Sequence, residues 1–173
     1  VGWSMGGVLA FEVARQLERI GRRPRAVVLV DSYLVEEPET TELPAFLLGV
    51  LAQQLGVIEA RKIGEDTGRP LLDVAAERLG TTTGELERGF ASYEASLRLH
   101  SRYRPPSRYG GRLDLLSVDE AAVRRIWQPH AADVSVHSIE GDHYALLAPP
   151  CVARVASALL DALAAAETQG RSG

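Results

Sequence analysis

The sequence predicts an α/β fold, a mostly parallel sheet with flanking helices and a helical insertion. Three observations carry this. An amphipathic helix over 8–20 leads into a short apolar, Val-rich run, Ala26–Val30, which ends on Asp31. The stretch from Leu43 to Arg102 patterns as helix throughout, with no strand. After it, strand and helix patterns alternate again to the end of the chain. A helix between two buried strands is the βαβ unit, and a continuous rather than alternating apolar run marks a strand covered on both faces.

The elements follow in order. Val1 to Gly7 reads Val-Gly-Trp-Ser-Met-Gly-Gly, a glycine-rich turn. In the next helix Leu9, Val13, Leu17 and Ile20 recur at helical spacing, with Ala10 and Ala14 widening the stripe, so this face is expected to be the buried one. Gly21 is placed to end the helix in a left-handed cap, and Pro24 blocks its continuation. Glu36 to Glu42 is acidic, contains Pro38 and reads as a loop. Helices are expected over Ala45–Leu55, over Leu71–Leu79 with Gly80 after it, and over Gly84–Arg102 with Thr83 as N-cap. Arg104–Gly111 reads as a Pro/Gly-rich loop, Leu113–Val118 as a strand, Glu120–Trp127 as a short helix stopped by Pro129, and Val134–Ile139 as a strand. Glu140–Tyr144 is a turn, and Pro149 and Pro150 open a last helix to about Ala166. The domain reading is one domain, 1–173, with an insertion over 37–102.

Composition narrows the function classes. The chain has 173 residues, 46% of them hydrophobic, enough for one domain with a real core. The net charge is -4 and the arginines are scattered, so nucleic acid is not an expected partner. No apolar run is long enough to span a bilayer, and no membrane partner is expected. The single cysteine, Cys151, excludes an intrachain disulfide and fits a cytoplasmic location. Isolated histidines and one cysteine make no metal set, and no metal is expected.

The chemistry sits in Gly2-Trp3-Ser4-Met5-Gly6, which fits Gly-x-Ser-x-Gly, the nucleophile elbow. The serine occupies a sharp, strained strand-to-helix turn, and glycines at Gly2 and Gly6 are expected to avoid collisions within it. Gly7 lets the helix approach the sheet. The turn aims the helix N-terminus at the site, so the Met5 backbone N–H is a candidate oxyanion donor. A phosphate-binding loop would carry Lys after the glycines, where Val8 stands.

A serine hydroxyl needs a base. Of the four histidines, His143 lies in a loop after a strand and before the last helix, late in the chain, which is where the base of an α/β-hydrolase sits. His137 lies within a strand, His130 in a loop and His100 on a helix of the insertion. Two carboxylates compete for the third role. Asp31 and Asp119 each follow a strand at the edge where active sites form. Asp31 also reads as a turn former, and Asp119 as the N-cap of the helix Glu120–Trp127.

Gly-Trp-Ser-Met-Gly-Gly, a helix, then Val-Val-Leu-Val-Asp-Ser, and finally Gly-Asp-His-Tyr-Ala-Leu-Leu together resemble the thioesterase domains of nonribosomal peptide synthetases and polyketide synthases, members of the α/β-hydrolase superfamily. The resemblance implies Ser4, Asp31 and His143 as the catalytic triad and tips the acid to Asp31, with Asp119 as the alternative. It implies no cofactor: the substrate is an acyl or peptidyl thioester presented on the phosphopantetheine arm of a carrier protein, the expected partner. It gives the insertion the position of the family's lid. It also implies strands before the elbow and a second oxyanion donor that these residues do not contain, so these residues alone are expected to be unstable and inactive. Other readings that share the triad are a stand-alone editing thioesterase and a generic carboxylesterase. A non-catalytic interaction domain on the same fold is the reading of a different class.

Overall fold

The computed structural model describes residues 1–35, 41–65 and 68–169. The chain divides into two compact units, one made of Val1–Leu34 and the chain from Tyr103 onward, the other of Val35–Arg102. The second nearly coincides with the insertion expected over 37–102. The loop expected over 36–42 falls mostly outside the described residues.

The first unit holds a four-stranded parallel sheet whose spatial order equals its chain order: β1 (Gly2–Trp3), β2 (Val28–Val30), β3 (Tyr109–Ser117) and β4 (Ala131–Ser138). Between β1 and β2 runs α1 (Met5–Arg19), and between β3 and β4 runs α6 (Glu120–Trp127) with a 3₁₀ turn, Gln128–His130. After β4 comes a loop, a second 3₁₀ turn over Ala145–Leu147, and α7 (Cys151–Gln169). The period of two along the strands sorts their side chains into two cores. Val27, Leu29, Leu113 and Leu115 pack with Phe11 of α1 and Val123 and Trp127 of α6. Val28, Val30 and Leu116 face the other way and pack with Val155 and Ala162 of α7. Both faces are covered, and for that reason β2 reads as an unbroken apolar run.

The buried face of α1 differs from the expected one. Leu9, Val13 and Ile20 are exposed, whereas Gly7, Val8, Phe11, Ala14 and Arg15 are buried. The reason lies at Gly7, where a Cβ would stand 1.9 Å from Ser32 Oγ. The helix meets the sheet through this residue, and the residues one and two turns on, Phe11 and Ala14, follow it inward. The end of α1 is as expected. Gly21 has φ 75°, its N–H donates to Glu18 O, and the Arg22 N–H donates to Leu17 O, the paired bonds of a Schellman cap.

Burying Arg15 requires partners. Its guanidinium donates to both carboxylate oxygens of Glu12, at 2.9 and 2.7 Å, and to Ser107 Oγ. Glu12 also accepts from the Tyr103 hydroxyl at 2.6 Å and from Gln16. The Arg15 bonds outweigh burial, and with Tyr103 and Gln16 they bring the Glu12 pKa down from 4.5 to about 2. A depressed folded-state carboxylate stabilises the fold above its unfolded pKa and loses that contribution as the pH falls through the folded one. Glu12→Gln should therefore lower the urea midpoint at pH 7 by leaving Arg15 under-paired. The gap to wild type should close as the pH falls from about 4.5 to about 2. A gap that persists unchanged at pH 2 would refute the linkage.

The helical unit contains α2 (Leu43–Leu55), α3 (Val57–Glu65), α4 (Leu71–Leu79) and α5 (Thr83–Arg102). Leu47, Leu51, Ile63, Val74 and Leu86 form its core, and the Phe46 ring packs on Phe90 and Tyr93. The cap of α5 is Thr82 rather than Thr83. The Glu85 N–H donates to Thr82 Oγ1, and the Thr82 N–H donates back to the Glu85 carboxylate, a reciprocal capping box. Thr83 is thereby the first helical residue. Among the described residues, no helix is long and apolar enough to cross a membrane.

Candidate active site

The tips of β1, β2 and β3 are stitched together at one edge of the sheet. The Ser4 N–H donates to Val30 O at 2.9 Å, and the Asp31 N–H donates to Leu116 O at 2.7 Å. Each of these residues directly follows its strand. They are also the two non-glycine residues with positive φ among those described, Ser4 at 54° and Asp31 at 43°. Such conformations cost on the order of 1–3 kcal/mol each and persist where the surroundings over-determine them. The sequence-predicted nucleophile and acid are thus the two points where the backbone is held against its preference.

Gly2 is required at the elbow. A Cβ there would lie 2.1 Å from Gly6 O and 2.5 Å from Gly7 N, both backbone atoms of the turn. Gly6 departs from the expectation. Nothing lies within 4 Å of a Cβ built on it, and the crowding falls on Gly7 instead. The Met5 N–H opens α1, where it has no partner four residues back inside the helix. That leaves it oriented for an anion at the helix start.

Asp31 is 2% exposed and fully engaged. Its Oδ1 accepts from the Ser117 hydroxyl at 2.8 Å, the Tyr33 hydroxyl at 2.9 Å and the Val118 N–H at 3.3 Å. Its Oδ2 lies 2.7 Å from His143 Nδ1. Burial pushes the carboxyl pKa up, but the bonds from His143, Ser117, Tyr33 and Val118 together outweigh it and hold the group below its ordinary value. These bonds favour the ionised form of Asp31 beside the His143 ring. Because Asp31 takes Nδ1, the nitrogen left to a nucleophile is Nε2. Among the described residues no hydrogen bond reaches the Ser4 hydroxyl. In unliganded sites the nucleophile–base bond is often long and tightens with substrate.

Among the described residues, the remaining candidates make no hydrogen bond to Asp31 or His143, although the Asp119 N–H donates to Ser117 Oγ at 3.1 Å. Asp119 caps α6, accepting from the Ala122 N–H at 2.9 Å. His137 stands on β4 with Nε2 3.4 Å from Asp114 Oδ1, and Arg112 donates to the same oxygen. His130 packs edge-on against Trp127, and burial lowers its pKa. His100 is on α5 in the helical unit. Tyr33 and Ser117 are the residues that sequence reasoning missed. Tyr33 follows Asp31 closely enough to have been suspected. Ser117 is 86 residues away in sequence from the carboxylate it holds and is found only through the β2–β3 register.

The family model for the thioesterase domain matches residues 1–163. The chain belongs to the thioesterase-domain family. No curated protein sequence matches it. Among solved structures, a four-domain nonribosomal peptide synthetase, AB3403, superposes with a TM-score of 0.68 at 21% identity, over 91% of this chain and 14% of that one. The Vlm2 thioesterase domain gives 0.60 at 21% identity, over 92% of this chain and 66% of its own. The NocB thioesterase domain gives 0.57 at 25%, over 94% and 63%. This thioesterase-family chain thus spans less than two thirds of each of these structures, and the shared fold is that of α/β-hydrolase thioesterase domains.

Proposed function

We propose that Ser4, His143 and Asp31 form a catalytic triad that releases an acyl or peptidyl chain from the phosphopantetheine thioester of a carrier protein. The observation that carries this reading is the Asp31–His143 pair, fixed at the tip of β2 beside the strained Ser4. Ser4 Oγ attacks the thioester carbonyl while His143 Nε2 takes the hydroxyl proton. The Met5 N–H stabilises the tetrahedral oxyanion. As the intermediate collapses, the C–S bond breaks, the imidazolium returns its proton to the leaving thiolate, and an acyl-Ser4 ester remains. Water, or a hydroxyl or amine of the bound chain, then attacks the ester with His143 again as base, giving a free acid or a macrocycle. No resident cofactor takes part. We assign the insertion over 37–102 the part of a lid.

The structural relatives support the acyl or peptidyl class of substrate. One solved form of the NocB thioesterase domain is a covalent complex with a fluorophosphonate nocardicin G analog, and one of Vlm2 is bound with a dodecadepsipeptide. The test treats the full-length protein with a fluorophosphonate, locates the adduct by mass spectrometry, and compares turnover of a carrier-bound acyl thioester with that of a nitrophenyl ester. The expected result is an adduct on Ser4 and preference for the thioester. Preference for the nitrophenyl ester would make it a carboxylesterase. A folded protein that takes no adduct would be an interaction domain.

A further inference from the structure

One hydrogen bond does not fix an imidazole. The 2.7 Å contact from Asp31 Oδ2 places His143 Nδ1 but leaves the ring free to turn about that contact. Two aromatic rings contact the imidazole. Trp3 lies face to face with His143, ring centroids 4.9 Å apart and planes 24° from parallel. Tyr144 meets the imidazole edge-on at 5.2 Å and 83°, but it is 43% exposed and sits in the same loop as the histidine. Trp3 is anchored independently: it belongs to β1, is paired with Val30, and precedes Ser4 directly.

We propose that Trp3 is a positioning residue for the base, and that its indole face holds the His143 ring in the plane from which Nε2 serves Ser4. The proposal rests on the triad reading above. It ties nucleophile and base to one two-residue piece of backbone, so that a shift of β1 moves both together. The contact also has the sign that catalysis needs. The imidazole becomes a cation as Ser4 attacks, and a cation over an indole face is held more strongly than a neutral ring. An interaction that strengthens on the way to the transition state raises kcat rather than lowering KM. The polar atom of the tryptophan adds nothing. Its indole N–H is buried and donates to no acceptor among the described residues, so the ring and not the N–H accounts for the contact.

The test uses Trp3→Phe, which keeps an aromatic face and removes the unpartnered N–H, and Trp3→Met, which fills similar space without one. In the full-length protein, Trp3→Met should lose about 10- to 100-fold in kcat and in the rate of fluorophosphonate labelling at Ser4, with KM unchanged. Trp3→Phe should stay within about threefold of wild type. Thermal midpoints measured alongside separate this from simple destabilisation. A readout that needs no variant at Trp3 is the proton spectrum of the His143 ring, assigned with His143→Gln, which should be shifted upfield by the indole. Equal kcat for the Phe and Met variants, a loss confined to KM, or unshifted ring protons would overturn the proposal while wild-type labelling at Ser4 leaves the triad standing. A folded wild type that is not labelled at Ser4 would overturn the triad reading and this one with it.

Discussion

Ser4→Ala in the full-length protein should lose on the order of 10⁶-fold in kcat on a carrier-bound thioester and all fluorophosphonate labelling, with its thermal midpoint unchanged. Nothing else at the strand tips can replace the hydroxyl: Ser117 and Ser32 are buried, and Ser32 Oγ is occupied with Val30 O. Stability should be untouched because alanine keeps the Cβ, and so keeps the strain at φ 54°. Ser4→Gly separates strain from chemistry. It should be equally inactive yet more stable, because glycine adopts this backbone without the Cβ clash. The relief of about 1–3 kcal/mol exceeds the roughly 0.5–1 kcal/mol of extra chain entropy that glycine loses on folding. Urea titrations of the three proteins would measure the difference. A Ser4→Gly protein less stable than Ser4→Ala would mean that the surroundings do not impose the elbow. Residual turnover of Ser4→Ala above that of other inactive variants would remove Ser4 as the nucleophile.

The elbow was legible in sequence because its chemistry and its local geometry depend on the same few adjacent residues. The same holds for α6: Asp119 at its start and Pro129 beyond its end bracket it, and the helix occupies Glu120–Trp127 as expected. The buried face of α1 was not legible by counting. That helix is apolar on two sides, with Leu9, Val13 and Leu17 along one and Val8, Phe11 and Ala14 along the other. Periodicity shows that a helix forms but cannot choose between two stripes. The deciding signal was Gly7, a residue too small to matter to a hydrophobic count yet the point of closest approach to Ser32. The support of Asp31 was hidden for another reason. Ser117 acts across a parallel pairing, and parallel partners are separated in sequence by whatever crosses over between them, here the helical unit. In sequence Trp3 reads as part of the turn around Ser4, neither as the strand residue it is nor as the neighbour of His143, because the loop that returns His143 to β1 has no periodicity to place it.

Asp31→Asn should lower kcat by about 10⁴-fold while Asp119→Asn leaves it unchanged, and the hydrogen bonds say why. Three donors converge on Asp31 Oδ1, and one of them, the Val118 N–H, cannot reverse its role. In the asparagine variant these donors hold the amide oxygen at that position, so its NH₂ faces His143 Nδ1. Nδ1 must then accept, the ring proton moves to Nε2, and the nitrogen meant to receive the Ser4 proton already carries one. The imidazolium formed in the transition state also loses its countercharge. Stability should respond to pH as well. Ionised Asp31, with its pKa below the ordinary value of 3.8, supports the fold above that pH and ceases to do so as the pH falls through the lower folded-state value. The acid limb of the stability curve should therefore flatten in Asp31→Asn. Asp119 answers to different physics. Asparagine caps a helix about as well as aspartate, so Asp119→Asn should be silent, and Asp119→Ala should cost about 1 kcal/mol through the lost bond to the Ala122 N–H, with kcat intact. Rates and urea midpoints of the three variants decide between the carboxylates. A rate loss in Asp119→Asn with Asp31→Asn near wild type would move the acid to the end of β3 and leave the four bonds that Asp31 makes without a catalytic purpose.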